Sequence, residues 1–387
     1  MTNLLAPLQS LKQGHWFKLI CGASFQHLPA VRSLTLAYTL AGADCIDVAA
    51  DPAVIAAAQA GLQAAQALAE EAQKQGFSFK GDLPLLMVSL NDGEDPHFRK
   101  AEFNANYCPV DCPRPCEKIC PAQAIVFNDI KDSFSGIIAE KCYGCGRCLP
   151  VCPYEMINVA SYVSTPGAIA PLIVSTGIDA IEIHTKVGRL AEFQRLWAAI
   201  APWADQLKLI AISCNDGEGL IDYLQAIYDI ITPRPQFLVW QTDGRSMSGD
   251  IGDGTTIAAV KLGQKVLAAN LPGYVQLAGG TNSYTVPKLK EMGMLKEAGE
   301  QGAGSKGENT SPLHPAPRPP AFIAGVAYGS YARVLLSPIL EQLENKEVST
   351  TGVKANLRLE DEPELLWQTV KLARSLVSQI KSQSERS

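Results

Sequence analysis

The sequence predicts an α/β protein whose body is a closed (β/α)8 barrel, with a cysteine-rich insert between its third and fourth strands. Eight short apolar runs recur along the chain, and helical patterns lie between most of them. Eight of the eleven cysteines fall within residues 108–152. Alternating βα units with continuous apolar strands are typical of a parallel sheet covered by helices, and eight units suit a barrel. A doubly wound open sheet is the alternative.

The predicted barrel strands are short, mostly apolar runs. They lie at 17–23, 44–49, 84–90, 179–184, 207–213, 237–242, 273–279 and 321–327. Helical patterns lie at 29–42, 52–75, 189–203, 218–231, 255–270 and 284–298. The second helix opens on Asp51-Pro52, an N-cap followed by proline in the first turn.

The region after the predicted seventh strand differs in composition. Residues 299–320 are rich in glycine, serine and proline, which is typical of a flexible loop. The tail at 361–383 has the apolar spacing of a helix with one buried face, which we expect to dock on the barrel rather than on a partner. We therefore expect a barrel-like body formed by 1–100 and 163–340, an insert at 101–162 and a helical tail at 341–387.

The cysteines of the insert form two runs, each ending in Cys-Pro. The first run comprises Cys108, Cys112, Cys116 and Cys120, and the second comprises Cys142, Cys145, Cys148 and Cys152. The second run has the spacing C-x2-C-x2-C-x3-C-P, which is the bacterial iron–sulfur signature. Gly144 and Gly146 lie between its first three cysteines, where a missing Cβ lets backbone approach a cluster.

At these motifs residues 101–162 resemble a bacterial two-cluster ferredoxin domain. In such domains the fourth cysteine of each run ligates the other cluster. The resemblance assigns Cys120 to a 4Fe–4S site with the first three cysteines of the second run, and Cys152 to the site of the first run. Ile125 and Ile157 follow the two Cys-Pro pairs at matching positions, and we expect them to shield the clusters.

The first run departs from the ferredoxin pattern, because three residues rather than two separate its cysteines. Measured back from Cys116, the expected ligand positions hold Pro113 and Val110. Either the loop bulges and Cys108 and Cys112 both ligate, or one of them is spare. In the second case the site holds a 3Fe–4S or labile cluster.

Two other uses of these cysteines are zinc binding and disulfide bonding. Zinc could use paired C-x2-C units, but the triple spacing and the Cys-Pro endings favour iron–sulfur clusters. Disulfides need an oxidising compartment, and the first residues lack the basic region and long apolar core of a signal peptide. The remaining cysteines, Cys21, Cys45 and Cys214, lie in apolar stretches and are predicted to be core residues.

Composition narrows the class of protein. The chain has 387 residues and a formal net charge of −6, which disfavours nucleic acid as the main partner. No apolar run is long enough for a transmembrane helix, since acidic residues and Pro52 interrupt the longest candidate. We therefore expect a soluble, cytoplasmic protein.

Polar residues gather where the predicted strands end. They are Asn91, Asp92, Glu182, His184, Lys186, Ser213, Asn215, Asp216, Gln241, Asp243 and Arg245. The last two strands are followed by glycine-containing segments at 278–283 and 325–333. Gly279, Gly280, Gly325 and Gly329 are candidate residues of a phosphate or cofactor cradle, because glycines that open a helix expose backbone amides. The alternative is that these glycines only form tight turns.

These segments, with 177–184 and 246–252, resemble the flavin-binding barrels of the dihydroorotate and dihydropyrimidine dehydrogenase type. The resemblance implies FMN as a cofactor. Those enzymes place a lysine on a barrel strand near the flavin, whereas the fifth strand here has Ile212 and Ser213. Their catalytic loop with a cysteine or serine base is not recognisable either. FMN is therefore the weaker prediction.

Taken whole, the chain is similar to the cyanobacterial light-dependent-period family. The resemblance rests on residues 14–24, the variant first run at 108–121, the regular second run and residues 240–252. It implies a redox-active iron–sulfur protein that feeds light or photosynthetic redox state into the circadian clock. It also implies clock input proteins, including a histidine kinase, as partners.

Three functions follow from these observations. A redox sensor would exchange electrons with a quinone or soluble carrier and alter its binding to partners. An oxidoreductase would pass electrons to a flavin or substrate in the barrel, and a ferredoxin-like carrier would use the barrel only as structure. Because no catalytic constellation is readable, we expect a sensor or electron-transfer protein rather than a catalyst.

Overall fold

The computed structural model describes most of the chain. The described residues are 5–22, 27–93, 99–120, 123–127, 135–139, 141–142, 148–161, 175–245, 252, 254–296, 320–348 and 357–381. Strands within them are β1 (Trp16–Gly22), β2 (Cys45–Ala49), β3 (Leu85–Asn91), β4 (Arg99–Glu102), β5 (Ile125–Val126), β6 (Gly136–Ile137), β7 (Asn158–Ser161), β8 (Ala180–Thr185), β9 (Leu209–Asn215), β10 (Leu238–Asp243), β11 (Tyr274–Ala278) and β12 (Ile323–Tyr328).

Eight of these strands close into a parallel barrel in the order β1-β12-β11-β10-β9-β8-β3-β2. Closure is made by β1 on β12, where Trp16 pairs with Gly325. Each barrel strand begins within two residues of its predicted start, so the predicted barrel is confirmed and the open sheet is wrong. β3 pairs directly with β8, and the cysteine-rich insert is the connection between them.

Helices cover the outside of the barrel, except for the first, which lies across its amino-terminal end, and the fifth, which lies in the cysteine insert. They are α1 (Ala6–Gln13), α2 (Leu28–Leu40), α3 (Pro52–Ala67), α4 (Ala69–Lys74), α5 (Pro115–Ile119), α6 (Leu190–Ile200), α7 (Leu220–Ile230), α8 (Thr255–Ala268), α9 (Thr285–Glu291), α10 (Ser330–Val348) and α11 (Pro363–Lys381). The carboxylate of Asp51 accepts from the Ala53 amide, which confirms the predicted cap of α3.

The helix predictions differ from the structure at several places. The helix expected at 52–75 is two helices that meet at Leu68. The helix expected at 284–298 stops at Glu291, because Gly293 has φ +62° and the Met294 amide returns to the Leu289 carbonyl. The sequence interpretation also missed α1 and α10, and α10 runs past residue 340, where the barrel body was expected to end. Residues 299–319 of the predicted loop lie outside the described residues.

The lower half of the barrel interior is apolar. Leu8 and Leu11 of α1 pack there against Trp16, Leu85 and Phe237, so this helix closes the amino-terminal end of the barrel. Cys45 lies in the same interior cluster, whereas Cys21 and Cys214 lie between strands and helices. All three are buried, as predicted.

The tail helix α11 docks on the barrel, as its apolar spacing predicted. Leu366, Val370 and Val377 are buried in the cluster that also contains α2 and α10 residues. The Lys381 ammonium lies 2.6 Å from both carboxylate oxygens of the buried Asp44. In the part of the chain that the structure describes, no helix is long and apolar enough to cross a membrane.

Candidate metal centre and barrel mouth

The insert contains two short antiparallel ribbons. β4 pairs with β7 and β5 pairs with β6, so each Cys-Pro segment leads into a strand that returns to the other half of the insert. Ile125 and Ile157 begin or precede these strands and are 3% and 5% exposed. They pack in one apolar cluster with Cys116 and Cys148, which places them beside cysteines of both runs.

Backbone amides donate hydrogen bonds to three of the cysteine sulfurs. The Ala124 amide lies 3.2 Å from Cys120 Sγ, and the Met156 amide lies 3.4 Å from Cys152 Sγ. In both contacts the amide donor lies four residues after the cysteine that accepts, so the two halves of the insert repeat in geometry as well as in sequence. Cys142 Sγ accepts from the Ala101 amide of β4 at 3.4 Å.

Cys108, Cys112 and Cys116 of the first run lie close together despite their irregular spacing. A turn closed by the Cys112 amide and the Pro109 carbonyl projects Val110 into solvent, where it is 96% exposed. Burial, then the neighbouring thiols of Cys112 and Cys152, raise the pKa of Cys108. Burial also raises the pKa of Cys116, and the neighbouring thiols of Cys152 and Cys108 raise it further. The structure therefore brings Cys152 to the first run.

These features fit the residues to an iron–sulfur cluster. Thiolate ligands, amide donors to sulfur and an apolar surround are the environment in which protein clusters are held. None of the ten described cysteines is in a disulfide. Among the described residues no three ligand side chains are placed to share a single metal ion. Cys145, Gly144 and Gly146 lie outside the described residues.

A second polar site fills the upper half of the barrel interior. Lys18 of β1 is fully buried, 2.8 Å from Asp47 Oδ2 and hydrogen-bonded to Glu182 Oε2. Burial alone would lower the pKa of Lys18, but Asp47 and Glu182 together raise it above its ordinary value. The ammonium is therefore held charged between two carboxylates at the centre of the barrel.

Glutamine side chains extend this network. Gln241 Nε2 donates to Glu182 Oε1 at 2.7 Å, and Gln276 Nε2 donates to Gln241 Oε1 at 2.6 Å. Trp16 Nε1 donates to Gln276 Oε1 at 2.6 Å. The chain of donors therefore links the apolar floor of the barrel to the buried charges.

His184 and Asp243 form the upper edge of the network. His184 Nε2 lies 3.2 Å from Glu182 Oε1. Burial raises the pKa of Asp243 from 3.8 to about 6, against the lowering effect of His184, while Ser213 donates to its carboxylate. An imidazole and a carboxyl group with a raised pKa thus meet at the carboxyl end of the strands, the face that carries the site in such barrels.

Some of the predicted polar residues lie in this network and others lie in separate ion pairs. Glu182, His184, Ser213, Gln241 and Asp243 meet in the network, as their strand-end positions suggested. Asp92 instead receives a hydrogen bond from Arg189 Nε at 2.7 Å, and Asp216 pairs with Lys265 at 2.6 Å.

Lys18, Asp47 and Gln276 were not predicted as site residues. The alternation of side chains along β1, β2 and β11 could have identified them, because residues two apart on a strand face the same side.

The candidate glycines have different surroundings. Gly325 lies within β12, where an added Cβ would lie 2.4 Å from the Trp16 carbonyl oxygen, so close packing of β1 accounts for it. Gly279 and Gly280 have φ of +61° and +92°; backbone of residues 243–245 fills the space of a Cβ at Gly279, and Thr255 of α8 fills it at Gly280. Gly329 has room for a Cβ, which would make only ordinary contacts with Arg333 and Ile20, none closer than 3.6 Å.

Two family profiles match the chain. The profile of the LdpA Fe-S cluster-binding domain matches residues 108–163, and that of the Light dependent period A C-terminal domain matches residues 172–379. The curated protein Light dependent period A of Synechococcus elongatus is 46% identical over 375 residues, which cover 97% of this chain and 94% of that protein. The chain belongs to the light dependent period A family. It therefore carries the family's iron–sulfur-binding domain, followed by a C-terminal domain that supplies the barrel strands from β8 onward and the docked tail helix.

Solved structures resemble the chain only distantly. Tryptophan synthase from M. tuberculosis, in an open form with BRD0059 bound, gives a TM-score of 0.39 at 12% identity and covers 98% of this chain and 97% of that chain. A structure from Aquifex aeolicus VF5 gives 0.30 at 9% identity, covering 97% of each chain. The barrel assignment for this member of the light dependent period A family rests on the closure of its own eight strands.

Proposed function

We propose that this protein is a redox sensor that relays light or photosynthetic redox state to the circadian clock through partner proteins. The observation that carries the proposal is the exposed setting of the first cysteine run. Tyr107 and Val110 beside it are 74% and 96% exposed, and Cys108 itself is only partly buried. Redox chemistry at this run is therefore within reach of a carrier, an oxidant or a partner protein.

The proposal assigns two clusters. Cys108, Cys112, Cys116 and Cys152 would hold one, and Cys120, Cys142, Cys145 and Cys148 would hold a 4Fe–4S cluster. The proximity of Cys152 to Cys108 and Cys116 supports this exchange between runs. The turn at Pro109–Cys112 supports ligation by both irregular cysteines, so we favour a 4Fe–4S over a 3Fe–4S site there. When bound, such clusters supply reversible one-electron chemistry.

The residues of the chain set how the two sites differ. Cys108 of one site and Cys120 of the other are both partly buried, but Tyr107 and Val110 near Cys108 are 74% and 96% exposed, whereas Ile119 beside Cys120 is 41% exposed. Solvent exposure and hydrogen bonds to sulfur tune reduction potentials, so the first-run site is the one we expect to respond first. Because ligand thiolates need a reducing compartment, the proposal places the protein in the cytoplasm.

Binding to a partner protein tests the proposal that this protein is a redox sensor. The partners inferred from the family are clock input proteins, including a histidine kinase. Binding of the anaerobically purified protein to that kinase is measured before and after oxidation, with Cys148→Ala as a variant that lacks one cluster. The sensor predicts that affinity depends on oxidation in the native protein. Identical binding in both redox states, by both proteins, would remove the proposal and leave a simple iron–sulfur protein.

The buried Lys18 network favours a second candidate, an iron–sulfur oxidoreductase with a substrate or flavin in the barrel. Burying charges costs several kcal/mol per ion in proteins, and the carboxyl end is where such barrels place catalytic groups. Lys18 lies on β1, however, rather than on the strand where flavin barrels place their lysine. An absorption spectrum of the purified protein decides this: a flavin band beside the cluster absorption supports the enzyme, and its absence favours the sensor.

A further inference from the structure

A buried ion pair joins the cysteine insert to the barrel. Lys100 of β4 is 8% exposed, and its ammonium lies 2.7 Å from Asp51 Oδ2. Asp51 is fully buried and caps α3, the helix that follows β2. The pair therefore connects the first strand of the insert to the carboxyl end of a barrel strand.

The same lysine is tied to the second cysteine run. Lys100 Nζ donates to the Ala139 carbonyl at 2.6 Å, three residues before Cys142. The next residue along β4, Ala101, donates its amide to Cys142 Sγ at 3.4 Å. Lys100 therefore hydrogen-bonds to the backbone that leads into Cys142 and forms an ion pair with Asp51 of the barrel.

The burial of this pair needs a reason beyond attachment. Apolar contacts of similar volume would hold an insert at least as well, since an ion pair loses much of its attraction to desolvation. A buried positive charge beside a site that gains and loses electrons has an electrostatic effect, because each added electron increases the negative charge that Lys100 faces. Asp51 competes with that charge for the same ammonium.

We propose that Lys100 is a positioning residue whose charge is shared between the second-run cluster site and Asp51. Electron gain at the second run then weakens the Lys100–Asp51 pair that holds the insert on the barrel. By linkage, a stronger pair with Asp51 makes electron gain less favourable. This inference rests on the proposed cluster at Cys120, Cys142, Cys145 and Cys148.

Reduction potentials test the inference. The full chain, purified anaerobically with its clusters, is titrated with dithionite and redox mediators while paramagnetic resonance follows the second-run cluster. Lys100→Met removes the positive charge and should make reduction about threefold to tenfold less favourable. Asp51→Asn removes the competitor and should make it more favourable by a similar factor. A tenfold change corresponds to about 59 mV for a one-electron couple.

Opposite signs separate this role from a structural one, because two variants that merely loosen the insert would shift the potential in the same direction. Lys100→Arg should restore the native potential to within about twofold. Lys208→Met is the matched control: Lys208 also pairs with an aspartate, Asp179, but at the amino-terminal end of the barrel. Shifts of the same sign, or no shift, would overturn the inference.

A second measurement covers the case in which Lys100→Met fails to retain iron. Hydrogen exchange of the peptide 50–58 is compared in oxidised and reduced native protein. Faster exchange on reduction is expected, because the insert is then held less tightly over this segment, and equal exchange would contradict the inference. Native protein that binds no iron at the second run would instead refute the proposed function.

Discussion

Lys18 and Glu182 meet at the centre of the barrel, hydrogen-bonded to one another and both fully buried. Asp47 lies on the other side of the same ammonium at 2.8 Å. One lysine therefore balances two carboxylates that have no access to water, and the upper interior of the barrel depends on it.

Replacing Lys18 should expose this dependence. In Lys18→Met two buried carboxylates lose their counter-ion, so we expect the free energy of unfolding to fall by about 3–5 kcal/mol. Urea denaturation followed by tryptophan fluorescence measures the loss. Lys261→Met, at an exposed position of α8, is the control and should change stability by less than about 0.5 kcal/mol. A loss below about 1 kcal/mol in Lys18→Met would mean that the network relaxes without the lysine.

Asp243 gives the barrel a pH dependence of known sign. Burial raises its pKa from 3.8 to about 6, so between these pH values the folded protein holds a proton that the unfolded chain has released. Stability is therefore greatest below pH 3.8 as far as this group is concerned, falls as pH rises towards 6, and stays lower above it by about 1–3 kcal/mol. Asp243→Asn, which mimics the protonated acid, should remove this pH dependence of stability.

The difference in urea midpoint between Asp243→Asn and native protein isolates the effect, since both carry the same clusters. The stability of Asp243→Asn should exceed that of the native protein by a larger margin at pH 8 than at pH 5. Asp222→Asn, at an exposed position of α7, should show no such difference. A gain that is equal at both pH values would assign the effect to packing rather than to titration.

The glycines of the last strand and its loop should respond differently to alanine. In Gly325→Ala the new Cβ would lie 2.4 Å from the Trp16 carbonyl oxygen, so β1 and β12 must separate, at a cost of about 1–3 kcal/mol or more. Gly329→Ala meets no atom within 3.5 Å and should cost less than about 1 kcal/mol. Thermal unfolding compares the two. Equal losses would show that Gly325 is not required for strand packing.

The irregular first run makes a prediction about iron. If Cys112 is a ligand, Cys112→Ser should lower the iron content by one iron, to a three-iron cluster, or by the whole first-run cluster. Cys45→Ser, in the barrel core, should retain the native content. Metal analysis with paramagnetic resonance measures both variants, and full iron content in Cys112→Ser would make this cysteine the spare one.

The barrel was predictable because its strands carry a local signal. Each run of apolar residues is a strand covered on both faces, and the helical patterns between them leave few other topologies. Helix ends were less predictable, since Leu68 and Gly293 act through backbone conformation rather than through hydrophobic pattern. The missed α1 is short, and its role depends on Leu8 and Leu11 meeting strands far away in sequence.

The sites divide in the same way. The cysteine runs were readable because cluster ligands lie close together in sequence, and the structure adds the amide donors to sulfur and the turn at Pro109–Cys112. Lys18, Asp47 and Glu182 come from three strands, and their meeting follows from barrel closure and register. Because the strand register is not visible in the sequence, Lys18 is seen there only as one charge in an apolar strand.

We propose that the insert holds two redox-active iron–sulfur clusters. Paramagnetic resonance and metal analysis of anaerobically purified protein, oxidised and reduced, test it most directly. We expect about eight irons per chain with matching sulfide, and signals from two clusters that change on reduction. About four irons would leave one site, and zinc in place of iron, or iron that no reductant changes, would rule out two redox-active clusters.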